Sequence, residues 1–538
     1  MTKEDVSRRV CDDGGGIIKP KPVEWVYIIA GLFLTYRYLW FLDDCGIYYR
    51  YVDNLLFLKI GLVYNYGEFV EGFTSPLWVV MLTVFRYFHV SYWYIVEWMA
   101  YACFIGFALI IVKVNRRMSP EGGVVNFPLA YLAVNYGVLS YFSSGLESPL
   151  VQVAAAAYAL YILNPSSALM QAVIALSPLI RPELALPMVL CAIWGGIRER
   201  RVPVRLLLMI LVFNGMWLTF RIWYYADLFP NIFYLKNEDN PTQGMTYLFD
   251  TLSTYHFLTV FAAFAILTVL LARRNIDVEL RARVMMLVTS LAVMLYIVKI
   301  GGDYMHFRML SFPFILSACA FSGILEKTRE NLLPQLDERI VSLIGVLILA
   351  TSFTYYPSHI LDKHPAYVDG VNGVIYKSVD DANNFRRLKH LYEETFFILQ
   401  PHRKMIEYQR KFPEFRYSWT DTSLYCLEYY IKFDIRLVQW FGLTDPFLAR
   451  MKVQTPRPGH RDLGSYAQQI TEIKRASGDD IYEGMFLKAV IENRAPRWVV
   501  KNLDRIMIIE KKAYNKHDFA ENLKLAFTFP GAIVVEEA

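Results

Sequence analysis

The feature that most constrains this chain is a series of long apolar runs separated by short clusters of Lys and Arg. A helix needs about 20 mainly apolar residues to cross a bilayer. Hydrophobic residues make up 55% of the 538 residues and charged residues only 20%, which disfavours a soluble enzyme. The pattern predicts a polytopic α-helical membrane protein. The runs lie at 24–42, 76–89, 92–113, 125–142, 147–163, 167–180, 183–197, 204–224, 254–272, 284–300, 309–326 and 340–356.

The basic clusters predict the orientation of the chain, because Lys and Arg near membrane spans stay on the cytoplasmic side. All of them fall on that side only if the run at 76–89 lies on the outer surface as an interfacial helix. We therefore predict about eleven spans in the plasma (inner) membrane, with a cytoplasmic N-terminus and an external C-terminus. The net charge of +5 is too small to indicate nucleic-acid binding. The clusters lie in the N-terminal tail, at 116–117, 198–205, 273–283 and 327–329.

Composition divides the chain into three parts. Residues 1–22 are polar and basic, and we predict a cytoplasmic tail. Residues 23–356 hold every apolar run and form the predicted transmembrane domain. Residues 357–538 are polar, charged and rich in Tyr, enough for one external soluble domain. There, "RWVVKNLD" (497–504) and "FPGAIVVEE" (529–537) predict strands, so we expect an α/β or α+β domain.

A pair of acids, Asp43 and Asp44, follows directly on the first apolar run and lies on the predicted outer face. Partial desolvation at the membrane edge raises the pKa of a carboxylate towards values that suit a general base. These two residues are the candidate catalytic residues. The alternative is a solvated pair that marks the exit of the chain from the membrane.

A second outer-face motif, "IGGDYMHFR" (300–308), carries a glycine pair that permits a tight turn. Asp303, His306 and Arg308 follow the turn, and Lys299 precedes it. An Arg side chain matches phosphate oxygens with two donors, and Lys and His add further donors. The motif predicts a site for an anionic headgroup. The alternative is ordinary anchoring of long basic side chains at the interface.

Other polar and aromatic residues fall on the same predicted face. A transporter would carry polar residues near the midplane, so their concentration at one surface favours chemistry there. Each also has a simpler alternative: a topological charge, a carboxylate at a helix start or an interfacial aromatic residue. Lys236 and Arg181 are candidate phosphate-binding residues, and Glu71, Glu147, Tyr48, Trp78 and Asp303 are candidate sugar- or acceptor-binding residues.

The outer-face motifs resemble those of a known family. The first loop reads "DD…YYRY…N…G…VYN.GE.VEG.TSPLW", and "GLESPL", "RPE", "FPNIFYLK" and "GGDYMHFR" follow in order. "FGLTDPFLAR" (441–450) and "RPGH" (457–460) come later. Together they are similar to motifs of the GT-C glycosyltransferases, in particular the terminal arabinofuranosyltransferases of mycobacterial cell-wall synthesis and their bacterial relatives.

This resemblance implies a GT-C membrane core, an external C-terminal domain and an inverting transfer with Asp43 or Asp44 as base. It also implies a polyprenyl-phosphate donor, with arabinofuranose as the sugar and a surface glycan, glycolipid or glycoprotein as acceptor. His460, in the "RPGH" motif, joins the candidate sugar- or acceptor-binding residues. A transferase of mannose or another sugar, and a lipid-linked sugar flippase or transporter, remain alternatives.

Six cysteines, at 11, 45, 103, 191, 319 and 426, show no zinc-binding spacing, so no metal site is predicted. We expect no cofactor. The alternative is a divalent cation held by the Asp43–Asp44 pair with Asp303. Cys45 and Cys426 both lie on the predicted outer side, so a disulfide between the two domains is a further hypothesis.

Overall fold

The structure is a computed structural model of the 538-residue chain. It describes residues 19–39, 44–119, 126–236, 239–254, 257–272, 277–303, 305–332, 335, 337, 340, 343, 366–369, 373–376, 417–420, 436–439, 441–452, 463–477 and 483–535. The prediction of a span at 340–356, and the sites at Asp43 and His460, lie largely or wholly outside these residues.

Helices dominate the described part of the chain. The N-terminal helices are α1 (Pro22–Arg37), α2 (Cys45–Asp53), α3 (Pro76–Tyr87), α4 (Tyr92–Met118), α5 (Phe127–Leu132), α6 (Tyr136–Phe142), α7 (Ser148–Leu163), α8 (Ala168–Ile180), α9 (Ala185–Glu199), α10 (Val204–Tyr225), α11 (Asn231–Lys236), α12 (Pro241–Thr254), α13 (Phe257–Ala272), α14 (Val278–Lys299), α15 (Ser311–Ala320) and α16 (Ile324–Leu332). The C-terminal helices are α17 (Gly464–Ala476), α18 (Met485–Ile491), α19 (Arg497–Lys501), α20 (Leu503–Ala513) and α21 (Phe519–Phe527).

Four helical stretches in the described residues are long and apolar enough to cross a membrane: Tyr92–Met118, Val204–Tyr225, Val278–Lys299 and Arg308–Asn331. Shorter apolar helices occupy Pro76–Tyr87, Ser148–Leu163 and Ala168–Ile180. The membrane character expected from the sequence is therefore supported by these four helices.

Two apolar runs form broken rather than continuous helices. The run at 125–142 divides into α5 and α6, because Asn135 accepts a hydrogen bond from the Val138 amide and starts a new helix there. The run at 309–326 divides at a turn before α16, where Gly323 has φ +61°. Hydropathy alone does not reveal such breaks, because the interrupting residues are few and buried.

The centre of the helical core is α7. It contacts α4, α8 and α15. Its middle turn, Ala154–Ala157, is fully buried, and such small residues let neighbouring helices approach closely in a membrane protein. Phe104 and Phe107 of α4 meet Phe142 edge-to-face, with ring centroids 5.4 and 5.3 Å apart. This packing fixes the positions of these helices relative to one another, including the start of α7.

The described C-terminal residues contain both strands and helices. β1 (Ala366–Asp369) pairs antiparallel with β2 (Gly373–Tyr376); β3 (Tyr417–Thr420) pairs parallel with β4 (Arg436–Gln439), and β5 (Met451–Lys452) with β6 (Ile533–Val534). The strand prediction at 529–537 is confirmed for Ile533–Val534. The strand prediction at 497–504 is wrong, because these residues form α19 and the start of α20. A short apolar run does not by itself separate a strand from a buried helix.

A group of buried charges joins the helical core to the C-terminal residues. Lys474 contacts Glu68 at 2.9 Å and Asp445 at 3.1 Å, and its side chain is fully buried. Asp227 contacts Arg450 at 2.7 Å and Lys512 at 3.3 Å. We call these six residues, Glu68, Asp227, Asp445, Arg450, Lys474 and Lys512, the junction cluster.

Candidate active site

A cavity of about 150 Å³ lies where several helix ends and connecting loops meet. The first turn of α2, the loop before α3, the start of α7, the α8–α9 connection, α11 and the turn before α15 all contribute to its wall. Seven ionisable residues with charged forms at neutral pH line it: Asp44, Glu147, Arg181, Glu183, Lys236, Asp303 and Arg308.

The first wall of the cavity is set by α2 and the loop that follows it. Asp44 immediately precedes α2, and its carbonyl accepts a hydrogen bond from the Ile47 amide at 3.2 Å. The Tyr51 hydroxyl donates to the Val70 carbonyl and accepts from the Gly72 amide, at 2.5 and 2.9 Å. A Cβ at residue 72 would lie 2.9 Å from that hydroxyl oxygen, so glycine permits the loop to approach α2.

The second wall contains an ionic group around Arg181. Its guanidinium contacts Glu147 at 2.9 Å and Glu183 at 3.1 Å. The Tyr48 hydroxyl donates to the second oxygen of Glu147 at 3.1 Å. Glu147 therefore bridges α2 to the α8–α9 connection, and all four side chains reach the cavity.

The third wall is the turn between α14 and α15. Gly302 has φ +73°, and a Cβ there would meet the Tyr247 ring at 2.6 Å, so both the conformation and the close approach require glycine. The turn directs Asp303 against Arg308, with 2.6 Å between Oδ2 and Nε. Both side chains are buried and line the cavity.

The last cation of the cavity, Lys236, ends the short helix α11. Asn231 at the start of this helix donates from its side-chain amide to the carbonyls of Gly442, Leu443 and Asp445 at 3.0–3.1 Å. Leu443 itself lines the cavity. The C-terminal segment therefore positions both a cavity cation and a cavity wall.

Burial and neighbouring charges act on these groups in opposite directions. Burial raises the pKa of Asp44, and the attraction of Arg308 and Lys236 only partly offsets it. Burial also favours the protonated form of Asp303, but Arg308, Lys236 and Arg181 together hold its pKa below the usual range. Burial lowers the pKa of Lys236. The pKa values of the two carboxyl groups are therefore shifted in opposite directions, upward for Asp44 and downward for Asp303.

Of the sequence-predicted residues, the structure brings Asp44, Tyr48, Glu147, Arg181, Lys236, Asp303 and Arg308 together around this cavity. Four others lie elsewhere. Glu71 is buried against Arg221, where it fixes the loop, and the Trp78 indole donates to the Gly145 carbonyl at 3.2 Å. His306 is buried with Nδ1 3.5 Å from Asp250.

Lys299 is largely exposed and faces Asp239 at 3.7 Å, outside the cavity wall. Asp43 and His460 fall outside the described residues, so their predicted roles stay predictions. Cys45 is buried, and its hypothetical partner Cys426 lies outside the described residues, so the disulfide stays a hypothesis.

Sequence reasoning missed several cavity residues. Glu183 belongs to the "RPE" motif but is not among the predicted site residues. Thr74, Phe233, Tyr296 and Leu443 also line the cavity. Thr74 and Phe233 stand inside quoted motifs, so motif membership was the available signal, whereas Tyr296 lies within an apolar helix that gave none.

No group of three or more His, Cys, Asp or Glu side chains in the described residues is arranged to hold a metal ion. Because Asp43 is not described, a cation held by the Asp43–Asp44 pair stays an untested alternative. In the described part of the cavity, three basic side chains, Arg181, Lys236 and Arg308, line the wall.

Comparison with known proteins gives one distant similarity. The chain is 21% identical to a terminal β-(1→2)-arabinofuranosyltransferase of Corynebacterium glutamicum, over 80% of this chain and 74% of that protein. No family model matches the chain. No solved structure matches it either. The similarity extends over most of both proteins, which supports a relationship at the level of a broad glycosyltransferase family.

Proposed function

We propose that this chain is an inverting membrane glycosyltransferase that uses a polyprenyl-phosphate sugar donor. The observation that carries the proposal is the single cavity that joins Asp44 to Arg181, Lys236 and Arg308. A carboxylate beside several cations is the arrangement that such a transfer needs. The similarity to an arabinofuranosyltransferase supports the same reaction class.

In the proposed reaction, Asp44 accepts the proton of the acceptor hydroxyl as that oxygen attacks the anomeric carbon of the sugar. The bond from the anomeric carbon to the phosphate oxygen breaks on the opposite face, and the configuration inverts. The raised pKa of Asp44 suits this step, because a base is most effective when its pKa approaches the working pH. Asp43 stands next to it in the chain and is the second candidate.

The leaving group is the polyprenyl phosphate, whose negative charge increases as the bond breaks. Lys236, Arg308 and Arg181 would stabilise that charge, and preorganised donors of this kind contribute substantially to catalysis in low-dielectric sites. Asp303 and Glu147 orient the two arginines, through the contacts at 2.6 and 2.9 Å. Glu147 and Tyr48 also line the cavity, where the carboxylate would accept from sugar hydroxyls and the tyrosine hydroxyl would donate to or accept from them.

We further propose that the cavity opens at the outer face of the plasma membrane. This proposal rests on the predicted topology of eleven spans, an interfacial helix at 76–89 and a cytoplasmic tail at residues 1–22. The core would then comprise residues 23–356 and an external domain residues 357–538. The contribution of Leu443 to the cavity supports a functional link between these two parts.

Arabinofuranose is the proposed sugar and a hydroxyl of a surface glycan, glycolipid or glycoprotein is the proposed acceptor. The relative's activity supports the sugar. A pocket distinguishes closely related sugars through a few hydrogen bonds. Mannose or another sugar is therefore the alternative within the same reaction class.

The test is to incubate the full chain, purified into lipid nanodiscs, with a panel of polyprenyl-phospho-sugars and a mixture of cell-surface glycan acceptors. We expect consumption of the arabinofuranose donor, release of polyprenyl phosphate and an inverted linkage in the product. Consumption of a different donor would change the sugar and keep the reaction class.

Failure to consume any donor, with a protein that remains folded, would contradict the proposal. Asp44→Asn provides the matched control, since it keeps the size of the side chain and removes the base. A donor that moves across a sealed vesicle membrane without cleavage would favour a flippase instead.

A further inference from the structure

The C-terminal helix α21 (Phe519–Phe527) has an unusual distribution of side chains. Asn522 and Ala526 are buried, whereas Phe519, Leu523 and Phe527 are 46%, 38% and 62% exposed. Residues four apart lie about 40° apart around an α-helix, so these three form one apolar stripe. The stripe is beside the buried face, and Glu521 and Lys524 occupy the remaining side.

This stripe is continuous with a helix that is apolar enough to cross a membrane. α21 packs against α10, and only 11% of the most apolar stretch of α10 is buried. Phe519 shares an open apolar groove with Met216, Phe220 and Trp223 of α10. Because the apolar surface is continuous across α10 and α21, we expect the same medium to contact both helices.

Polar contacts fix α21 to the end of α10 rather than to its middle. The Asn522 side-chain amide donates to the Trp223 carbonyl at 2.7 Å, and the Trp223 indole donates to the His517 carbonyl at 3.1 Å. The His517 ring stacks on Tyr224 with 4.9 Å between centroids. Trp and Tyr concentrate where a membrane helix leaves the hydrocarbon, so this contact lies at the level of the membrane surface.

We infer that α21 is an interfacial membrane helix that rests the C-terminal part of the chain on the bilayer. The partner that covers the apolar stripe is lipid: acyl chains contact Phe519, Leu523 and Phe527, while Glu521 and Lys524 face the headgroups and water. A helix with apolar and charged faces lies in the plane of the interface in this way. This inference needs α10 to cross the membrane and does not depend on the proposed sugar transfer.

The test compares two faces of one helix in the full-length chain, reconstituted in lipid nanodiscs. Cys11→Ser and Cys426→Ser form the background, because the four described cysteines are buried. Nitroxide labels at Leu523→Cys and Phe527→Cys report the apolar stripe, and labels at Glu521→Cys and Lys524→Cys are the matched controls. Collision rates with oxygen and with a water-soluble nickel chelate are measured for each.

We expect the labels at 523 and 527 to collide at least several-fold more with oxygen, and several-fold less with nickel, than those at 521 and 524. Equal nickel access at all four positions would overturn the inference. Shielding of 523 and 527 from both reagents, or dipolar broadening between labels, would also overturn it by indicating a protein partner or a second copy.

A second measurement keeps the test valid if the serine background does not fold. The unmodified chain in nanodiscs is labelled with a membrane-partitioning diazirine, and the modified residues are mapped by mass spectrometry. Modification at Phe519, Leu523 or Phe527 supports lipid contact. Absence of modification there, with α10 modified, would contradict it.

Discussion

The cavity and the junction cluster contain the same kinds of charged residue but differ in how one cation, Lys236, is compensated. In the junction cluster, Lys474 is fully buried between two carboxylates, and Asp227 accepts from two cations. At the cavity, Lys236 has no direct ion pair among the residues that the structure describes. Every charged side chain of the junction cluster has a close ionic partner, whereas at the cavity Lys236 lines open space.

This difference shows which charged residues are available to bind a ligand and which already stabilise the fold. Charges that already have close partners stabilise the association of two parts of the chain, and removing one partner leaves the other buried and uncompensated. A cation facing a cavity contributes little to folding because its burial is costly. It is available to an anionic ligand, so we expect changes at the two regions to affect different measurements.

The largest expected effect tests the chemistry of the cavity. Asp44→Asn removes the proposed base while keeping a similar shape, so the transfer rate should fall about 10³-fold or more. The rate of the unmodified chain should decrease as pH falls, with a midpoint above the usual range for an aspartate, because burial raises the pKa of Asp44. Steady-state assays across pH provide the measurement.

Asp53→Asn is the control for this change, since Asp53 ends the same helix and contacts Arg86 at 3.0 Å away from the cavity. Asp43→Asn is measured in parallel. Full activity of Asp44→Asn together with loss in Asp43→Asn would transfer the base to the neighbouring residue.

The next effect tests the junction cluster. Lys474→Met leaves Glu68 and Asp445 buried without their cation, which should lower the free energy of unfolding by about 3 kcal/mol. The unfolding midpoint of the full chain in nanodiscs, together with limited proteolysis, provides the measurement. Lys511→Met is the matched control, because Lys511 is exposed and contacts Glu483 only at 3.6 Å.

A triple change sharpens this prediction. Glu68→Gln and Asp445→Asn added to Lys474→Met should recover part of the lost stability, because no unpaired charge then remains buried. If Lys474→Met reduced activity while leaving the midpoint unchanged, the distinction between the two regions would be wrong.

A smaller effect separates binding from folding at the cavity. Lys236→Met should lower kcat/KM about 10²-fold, since one stabilising charge on the leaving phosphate is lost. Its unfolding midpoint should stay the same or rise, because burial lowers the pKa of Lys236 and so opposes its charged form. Lys299→Met is the control, and its largely exposed side chain should leave both measurements unchanged.

The smallest effect concerns a buried carboxylate whose described contacts are backbone amides. Glu510 accepts from the amides of Gly484 and Phe486 at 3.2 Å, and burial raises its pKa to about 7. The folded chain therefore holds a proton that the unfolded chain releases at lower pH. Stability should fall as pH rises towards about 7, by roughly 1–3 kcal/mol, and then level off.

Glu510→Gln should remove this part of the pH dependence. The difference in unfolding midpoint, variant minus unmodified chain, should therefore be larger at pH 8 than at pH 5. Glu472→Gln, at an exposed position, is the control. A pH dependence identical in Glu510→Gln and the unmodified chain would show that another group causes it.

By itself, the sequence determined the membrane character of the chain and the identity of most of the charged residues that line the cavity. Long apolar runs predict membrane helices because, in the bilayer interior, a helix satisfies all of its backbone hydrogen bonds internally. The motifs around Asp44, Glu147, Arg181, Lys236 and Asp303 were recognised as polar segments at helix ends. Both signals are local, so they can be seen without knowing how the chain folds.

Only the tertiary structure decided which of these residues meet. His306 follows Asp303 by three residues, yet the turn directs it to Asp250, and Lys299 emerges on an exposed face. No sequence signal paired the members of the junction cluster, because Glu68 and Lys474 are 406 residues apart and become partners only when the core and the C-terminal part pack together. Side-chain direction and long-range packing depend on the whole fold, and a local pattern does not contain them.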